Sequence, residues 1–321
     1  MFDIAAIGEL LIDFTPCGQD AAGDLCFARK PGGAPANVLV AAARLGARCA
    51  FIGKVGEDAF GHFLAQVLEE QHVDHSGLRF DANIPTTLAF VTLDERGDRS
   101  FTFYRKPGAD TQLFCDEIPY PTLDRCRILH FGSVSLTDDP ARSATLAAVQ
   151  YARAAGKLIS FDPNYRPFLW RDEQAAIAEI ERALPLCDIV KVSEEELALL
   201  TGTTELARGA AELFAYGPSL VLVSRGASGA FACTRHAAAE APGFSVRTID
   251  TNGAGDTFLG AVLTRLSATG RDELTALSEA ELSALLTVAN AAGALTTTRS
   301  GAIPAMPTAE ELSAFLAREA Q

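Results

Sequence analysis

The chain of 321 residues carries 27 Lys and Arg against 41 Asp and Glu, a formal net charge of −14. That balance argues against a general nucleic-acid-binding or anionic-membrane surface. Nearly half the residues are apolar, enough for a sizeable core, yet no apolar run approaches the roughly 18 residues a membrane helix needs.

The N-terminus, Met1-Phe2-Asp3-Ile4, has no basic region and enters a strand pattern at once, which is unlike a signal peptide. Seven scattered cysteines without a C-x-x-C pair read as reduced thiols, so a cytoplasmic protein is expected. His72 and His75 could share a helix face, but no ligand cluster accompanies them, and surface or satisfied histidines are expected.

Short continuous apolar runs read as buried strands: Ile4 to Ile7, Ala50 to Ile52, Ile128 to Phe131, Leu158 to Phe161, Ile189 to Val192 and Leu220 to Val223. Amphipathic stretches lie between them, at Phe60 to Glu70, Ala141 to Ala155 and Asp172 to Leu184. The alternation predicts an α/β fold, a doubly wound, mostly parallel sheet with helices on both faces, formed by residues 1–321 as one domain. Ligands of such sheets bind outside the carboxyl ends of the strands.

One region departs from the alternation. Leu88 to Leu93 and Ser100 to Tyr104 are strand-like and joined by the polar turn Asp94-Glu95-Arg96-Gly97-Asp98, which predicts a hairpin. With the stretch near Asp13 it would form a small sheet, from about 13–30 and 84–106, that could close over the strand ends as a lid and exclude water. The edges of such a sheet can be covered by a second subunit, so a homodimer through the lid is expected.

Two glycine-rich elements open helices. Gly32-Gly33-Ala34-Pro35-Ala36-Asn37 precedes a helix over Val38 to Leu45, and Gly53-Lys54-Val55-Gly56-Glu57-Asp58-Ala59-Phe60-Gly61 follows it. Asp250-Thr251-Asn252-Gly253-Ala254-Gly255-Asp256 precedes a helix beginning at Thr257. The first amides of a helix lack internal partners, and glycines there let a phosphate reach the backbone. An acid at Asp256 would then take a proton from an attacking hydroxyl. A plain glycine turn with Asp256 as a helix cap is the competing reading. No G-x-x-x-x-G-K-[ST] sequence is present, which removes a Walker-type site, and no G-x-G-x-x-G follows the first strand.

The segments Gly32 to Gly61 and Asp250 to Asp256 resemble, in register, the two signatures of the ribokinase (PfkB) family of sugar kinases, with Asn252 in place of the usual second threonine. The resemblance covers essentially the whole chain and implies the ribokinase-like fold, a sugar and ATP as small-molecule partners, and Mg²⁺. It makes Asp256 the catalytic base and Gly253, Ala254 and Gly255 an anion hole for the transferring phosphate. It places Asp13, Gly32, Gly33, Asn37 and Phe103 with the sugar. The family's N-x-x-E motif aligns with Ser193-Glu194-Glu195-Glu196, so Glu196 would hold water around Mg²⁺ while the serine departs from the pattern. The acidic run could equally cap a helix reaching Leu200. Lys191, Ser193, Ser224, Gly226, Gly229 and Asn290 fall on the ATP side. Asp250, Asn252, Arg299 and Gly301 resemble the K⁺ loop of several members.

Phe101 to Asp110 and Phe161 to Trp170 are similar to stretches of bacterial and plant fructokinases. Arg105 and Arg166 would each offer a planar fork of donors to sugar oxygens or phosphate. The 2-keto-3-deoxygluconate kinases are similar at both arginines, where a substrate carboxylate explains them directly. The expected reaction is therefore ATP-dependent phosphorylation of D-fructose at O6, with the keto acid as second choice. A sensor that kept the fold and lost turnover is the non-enzyme alternative.

Overall fold

The computed structural model describes residues 1–93 and 99–319; the expected hairpin turn 94–98 lies outside the described residues. The six predicted buried strands all form: β1 (Ile4–Ile7), β4 (Cys49–Gly56), β8 (Ile128–Gly132), β9 (Leu158–Asp162), β10 (Ile189–Ser193) and β11 (Leu220–Ser224). They pair in parallel with β5 (Val73–Asp81) at one edge, and antiparallel β12 (Ala230–Cys233) and β13 (Ala238–Ala241) complete the other. The order is β13-β12-β11-β10-β9-β8-β1-β4-β5. Gly53 to Gly56 belongs to the buried strand β4.

A separate four-stranded sheet holds β2 (Leu11–Gln19), β3 (Leu25–Gly32), β6 (Leu88–Leu93) and β7 (Arg99–Tyr104) in the order β3-β2-β6-β7. It covers the segments expected of the small sheet. Phe14 and Phe90 stack on it at 4.8 Å, and Phe14 meets Phe60 edge-on at 5.7 Å, which ties the sheet to the main body.

The helices are α1 (Ala34–Arg44), α2 (Ala59–Glu70), α3 (Tyr120–Asp124), α4 (Ala141–Ala154), α5 (Glu173–Ala183), α6 (Glu194–Thr201), α7 (Leu206–Leu213), α8 (Ala254–Leu266), α9 (Arg271–Thr275), α10 (Glu279–Thr297) and α11 (Ala309–Glu319). Several starts are written locally. Asp58 accepts from the amides of Phe60 and Gly61, and Asp172 from that of Ala175. Ser193 with Glu196, and Ser278 with Glu281, form capping boxes.

Each sheet face has its own core. Leu39, Leu64, Phe258, Val262 and Leu286 pack on one side, with α1, α2, α8 and α10. Phe131, Val149, Phe161, Ile180 and Leu213 pack on the other, with α4, α5 and α7. Gly260 lets α8 lie directly on α1: a β-carbon there would stand 2.7 Å from Ala41 Cβ and 2.8 Å from the Val38 carbonyl. That contact brings the first turns of α1 and α8 together above the sheet.

Candidate active site

Ser224 at the carboxyl end of β11 lines a cavity with Ala254 and Gly255 of α8, and Lys191 of β10 stands against Gly255, where the strand ends of a parallel sheet place a ligand. Gly253 precedes α8 with φ +76, and no side chain caps this helix. A β-carbon on Gly253 would lie 2.7 Å from Ala302 Cβ, so both the backbone conformation and the space require glycine. One turn later, Asp256 Oδ2 accepts a 2.8 Å hydrogen bond from Asn37 Nδ2 of α1. Burial pushes the Asp256 carboxyl up to about 6; the Asn37 bond lowers it and Asp162 raises it further.

Asn37 is 4% exposed, and its Oδ1 is buried with no hydrogen-bond partner in the structure. An orphaned acceptor beside a carboxylate suits a hydroxyl that donates to one and loses its proton to the other. Gly33, at φ +115, leads into α1 against the carbonyl of Glu9. Asp13 on β2 lies over Gly32, where a β-carbon would come within 2.5 Å of Asp13 Oδ2. Asp13 thus meets Gly32 beside the Gly33 turn, and α1 carries Asn37 from that turn to Asp256.

On the other side lies a cavity of about 550 Å³. Its lining includes Ser224, Gly226, Gly229, Ala254, Gly255 and Asn290, joined by Phe244 and Phe258. The size suits a nucleotide, and the mixture of small and aromatic residues suits a base and its sugar. Asn290 differs in detail from expectation. Its amide nitrogen already donates to the carbonyls of Ala241 and Pro242, at 3.1 and 3.0 Å, holding the strand β13 exit against α10.

A second cavity of about 400 Å³ is lined by Asn164, Arg166, Lys191, Ser193, Glu195 and Glu196, among others. Lys191 Nζ pairs with Asp162 Oδ2 at 2.8 Å, and both groups are buried. Burial alone would lower the Lys191 ammonium, but Asp162 and Glu196 hold it above its ordinary value, so it stays charged. A β-carbon on Gly255 would stand 3.4 Å from this ammonium, so the charge faces the start of α8. Glu196 accepts from the Ser193 amide at 2.8 Å and the Tyr165 amide at 2.6 Å. Burial, then Asp162, raises its carboxyl. The capping role anticipated for the acidic run is present, and it points the Glu196 carboxylate toward this cavity's wall.

Arg105 departs from expectation. Instead of a free fork it is buried, and each of its three nitrogens donates to a partner. Nε donates to Asp110 Oδ2 at 2.7 Å, a terminal nitrogen to Thr137 Oγ1 at 2.8 Å, and the other to the Val134 carbonyl at 3.0 Å. Arg166 is exposed, donates to the Tyr165 carbonyl at 3.1 Å, and lowers the Asp256 carboxyl through its charge. Phe103 of the small sheet stacks on Phe168 at 5.4 Å, and Lys30 of β3 donates to Ser300 Oγ at 2.8 Å. Both contacts join the small sheet to the main body across the opening.

Asp250 is buried and accepts from the amides of Asn252 and Gly301, both at 2.9 Å. Arg299 turns outward to Glu311, so its side chain leaves this loop. Three participants escaped sequence reasoning. Asp162 ends a strand and pairs Lys191; Glu9 accepts from the Ala34 amide at 2.9 Å; Asp110 holds Arg105. Burial raises the Glu9 carboxyl to about 7. A strand-end acid was the only available signal for Asp162 and Glu9, and it is a common one.

Residues 1–309 match the model of the pfkB family of carbohydrate kinases. Fructokinase-2 of Solanum habrochaites is 43% identical over 317 residues, covering 98% of this chain and 95% of its own. A fructokinase from Xylella fastidiosa crystallised with bound ATP superposes with a TM-score of 0.91 at 35% identity, over the full length of both chains. A fructokinase double mutant from Vibrio cholerae O395, crystallised with fructose, ADP and potassium, is 41% identical with a TM-score of 0.88, covering 98% of this chain and 97% of that one. With two signatures facing each other across one cleft and these relatives spanning its length, the chain belongs to the pfkB family of carbohydrate kinases.

Proposed function

We propose that this chain transfers the terminal phosphoryl group of ATP to O6 of D-fructose. The observation that carries the reading is the Asp256 carboxylate, oriented by Asn37 at the mouth of an uncapped helix, between a nucleotide-sized cavity and a turn rich in sugar-hydroxyl partners.

The chemistry divides among these residues. Asp13, Gly33 and Asn37 orient the sugar, with Asn37 Oδ1 accepting from a hydroxyl. Asp256 removes the proton of the attacking hydroxyl as the O–P bond forms. The amides at Gly253, Ala254 and Gly255 meet charge developing on the transferred phosphoryl oxygens, and the bond to ADP breaks in line. Lys191 and Arg166 add fixed positive charge on the phosphate side, and most of the acceleration comes from positioning and electrostatics.

The donor set near Glu196 fits a hydrated divalent ion. Both Glu196 oxygens already accept one amide each, which leaves lone pairs for water rather than for direct ligation. Glu195, Glu196 and Asn164 would hold the waters of Mg²⁺, which supplies charge neutralisation on the phosphates when bound. The loop of Asp250, Asn252 and Gly301, which the Asp250 carboxylate ties together through two amides, would take K⁺.

The small sheet serves as a lid inserted in a single kinase domain, its closed position held by Phe103 on Phe168 and Lys30 on Ser300. Its outer strands β3 and β7 and the exposed Tyr104 favour a homodimer through the lid, which sedimentation analysis would test by finding twice the chain mass. Seven free thiols and the need for ATP favour the cytoplasm.

The second reading, phosphorylation of 2-keto-3-deoxygluconate, loses support because Arg105 is already committed to Asp110. An ADP-coupled screen of fructose, the keto acid, ribose, tagatose and adenosine tests the assignment. Fructose is expected to give the highest kcat/KM; a faster keto acid would overturn the substrate, and no ADP release with any sugar would favour the sensor.

A further inference from the structure

Asp110 lies in the short segment after β7, and its side chain is only 1% exposed. One carboxylate oxygen takes the Nε of Arg105, and the other accepts from Thr87 Oγ1. Thr87 is itself fixed to the sugar side: its carbonyl accepts from the Ile12 amide at 3.1 Å, next to Asp13. Glu9, whose carboxylate holds the amide of Ala34 just after Gly33, feels the charges of both Asp110 and Arg105. Asp138 adds a further carboxylate 3.9 Å from Arg105. Thr87 thus ties the pair to the strand that carries Asp13, and Glu9 couples it by charge to the turn at Gly33.

An arginine beside a sugar subsite draws in a substrate carboxylate only while its charge is uncompensated. With Asp110 in contact and Asp138 nearby, an anion approaching Arg105 meets a compensated pair rather than a single positive charge. Removing water at this depth strengthens that difference, because the repulsion is screened less than at the surface. A neutral hydroxyl is indifferent to the net charge of this cluster.

We propose that Asp110 sets the acceptor class of this enzyme: by compensating Arg105 it admits neutral ketoses and rejects sugar acids. Specificity of this kind comes from an element that repels the wrong substrate rather than from an added contact to the right one. The inference rests on the sugar-kinase reading above and assigns the discrimination to a residue that does not need to touch the sugar.

The test is steady-state kinetics of the full chain with D-fructose and with 2-keto-3-deoxygluconate, in wild type and Asp110→Asn. Asparagine keeps the shape and an oxygen for Arg105 Nε while removing the charge. The ratio of kcat/KM for the acid over fructose should rise on the order of tenfold or more, mostly through the acid's KM. A merely structural role would lower both substrates together and leave the ratio within about twofold, which would overturn the assignment. Adding Arg105→Gln to Asp110→Asn should abolish the gain; a gain that survives means that Asp110 does not act through Arg105.

A measurement on the wild type needs no folded variant. The amide of the same keto acid keeps its shape without its charge and should bind on the order of tenfold tighter than the acid. Equal or tighter binding of the acid overturns the proposal. If the wild type phosphorylates no neutral ketose, the kinase reading fails instead; if it phosphorylates fructose and the ratio is unmoved, only the role of Asp110 fails.

Discussion

Asn37 and Asp256 are 219 positions apart in the chain and joined by a 2.8 Å hydrogen bond. The bond exists because α1 and α8 meet at Gly260, where any side chain would collide with Ala41. It fixes one carboxylate oxygen of Asp256 and leaves the other to act on a substrate. It also aims the unpartnered Oδ1 of Asn37 at the same space.

Replacing Asp256 by Asn should keep the hydrogen bond to Asn37 and remove the base. Turnover with fructose is expected to fall on the order of 10² to 10⁴ in kcat, with fructose affinity little changed. Near-normal turnover in that variant would falsify the role given to Asp256.

The Asp256 carboxyl, raised to about 6 by burial, predicts an acid limb in kcat/KM. Activity should be full above this value and fall as pH drops through it, because the protonated acid cannot accept the hydroxyl proton. The same shift carries a stability sign. The folded state binds this proton more tightly than the unfolded state, so the group's contribution to stability declines as pH rises from about 4 toward 6. Asp256→Asn should therefore melt at or above the wild-type temperature at pH 8, and a clear drop there would count against the buried-charge account.

Gly253→Ala combines a left-handed backbone with a collision at Ala302. A cost of about 1–3 kcal/mol in stability is expected, since the strain cannot relax without moving the helix start. A displaced helix start also moves the amides meant for phosphate, so kcat should fall on the order of 10². Thermal melting and initial rates, measured on one preparation, separate the two effects; unchanged kcat in a destabilised protein would remove these amides from the reaction.

Lys191→Met leaves Asp162 buried without its partner. Breaking such a pair from one side costs about 3–5 kcal/mol, whereas removing both charges costs much less. Asp162→Leu placed on Lys191→Met should therefore restore part of the lost stability while activity stays low. Chemical denaturation of the four proteins in this cycle gives the coupling directly, and additive losses would mean that the 2.8 Å contact is not the source of the effect.

The alternation of strands and helices was legible because it is local. Buried strands such as Ile189 to Val192 declare themselves by continuous apolar residues, and Asp58, Asp172 and the Ser193–Glu196 box start their helices from adjacent sequence. The glycine turn and acid at the start of α8 were legible for the same reason, since they lie within four residues of sequence. Strands β12 and β13 were not, because Ala-rich segments have little intrinsic strand preference and form only against β11.

By itself, then, the sequence determined the layered fold and the glycines and acid between Gly253 and Asp256. Helices α1 and α8 begin at Ala34 and Ala254, earlier than the expected Val38 and Thr257, because the glycine turns already lie against the first helical turn. Only the tertiary structure decided which partners those groups meet. It gave Asp256 to Asn37, Lys191 to Asp162, and Arg105 to Asp110 rather than to open solvent. Those choices depend on helix packing and on burial, which raise or cancel charges by bringing distant residues within a few ångströms. No local pattern encodes that distance, so an arginine that reads as a free donor in sequence can be a compensated one in the folded chain.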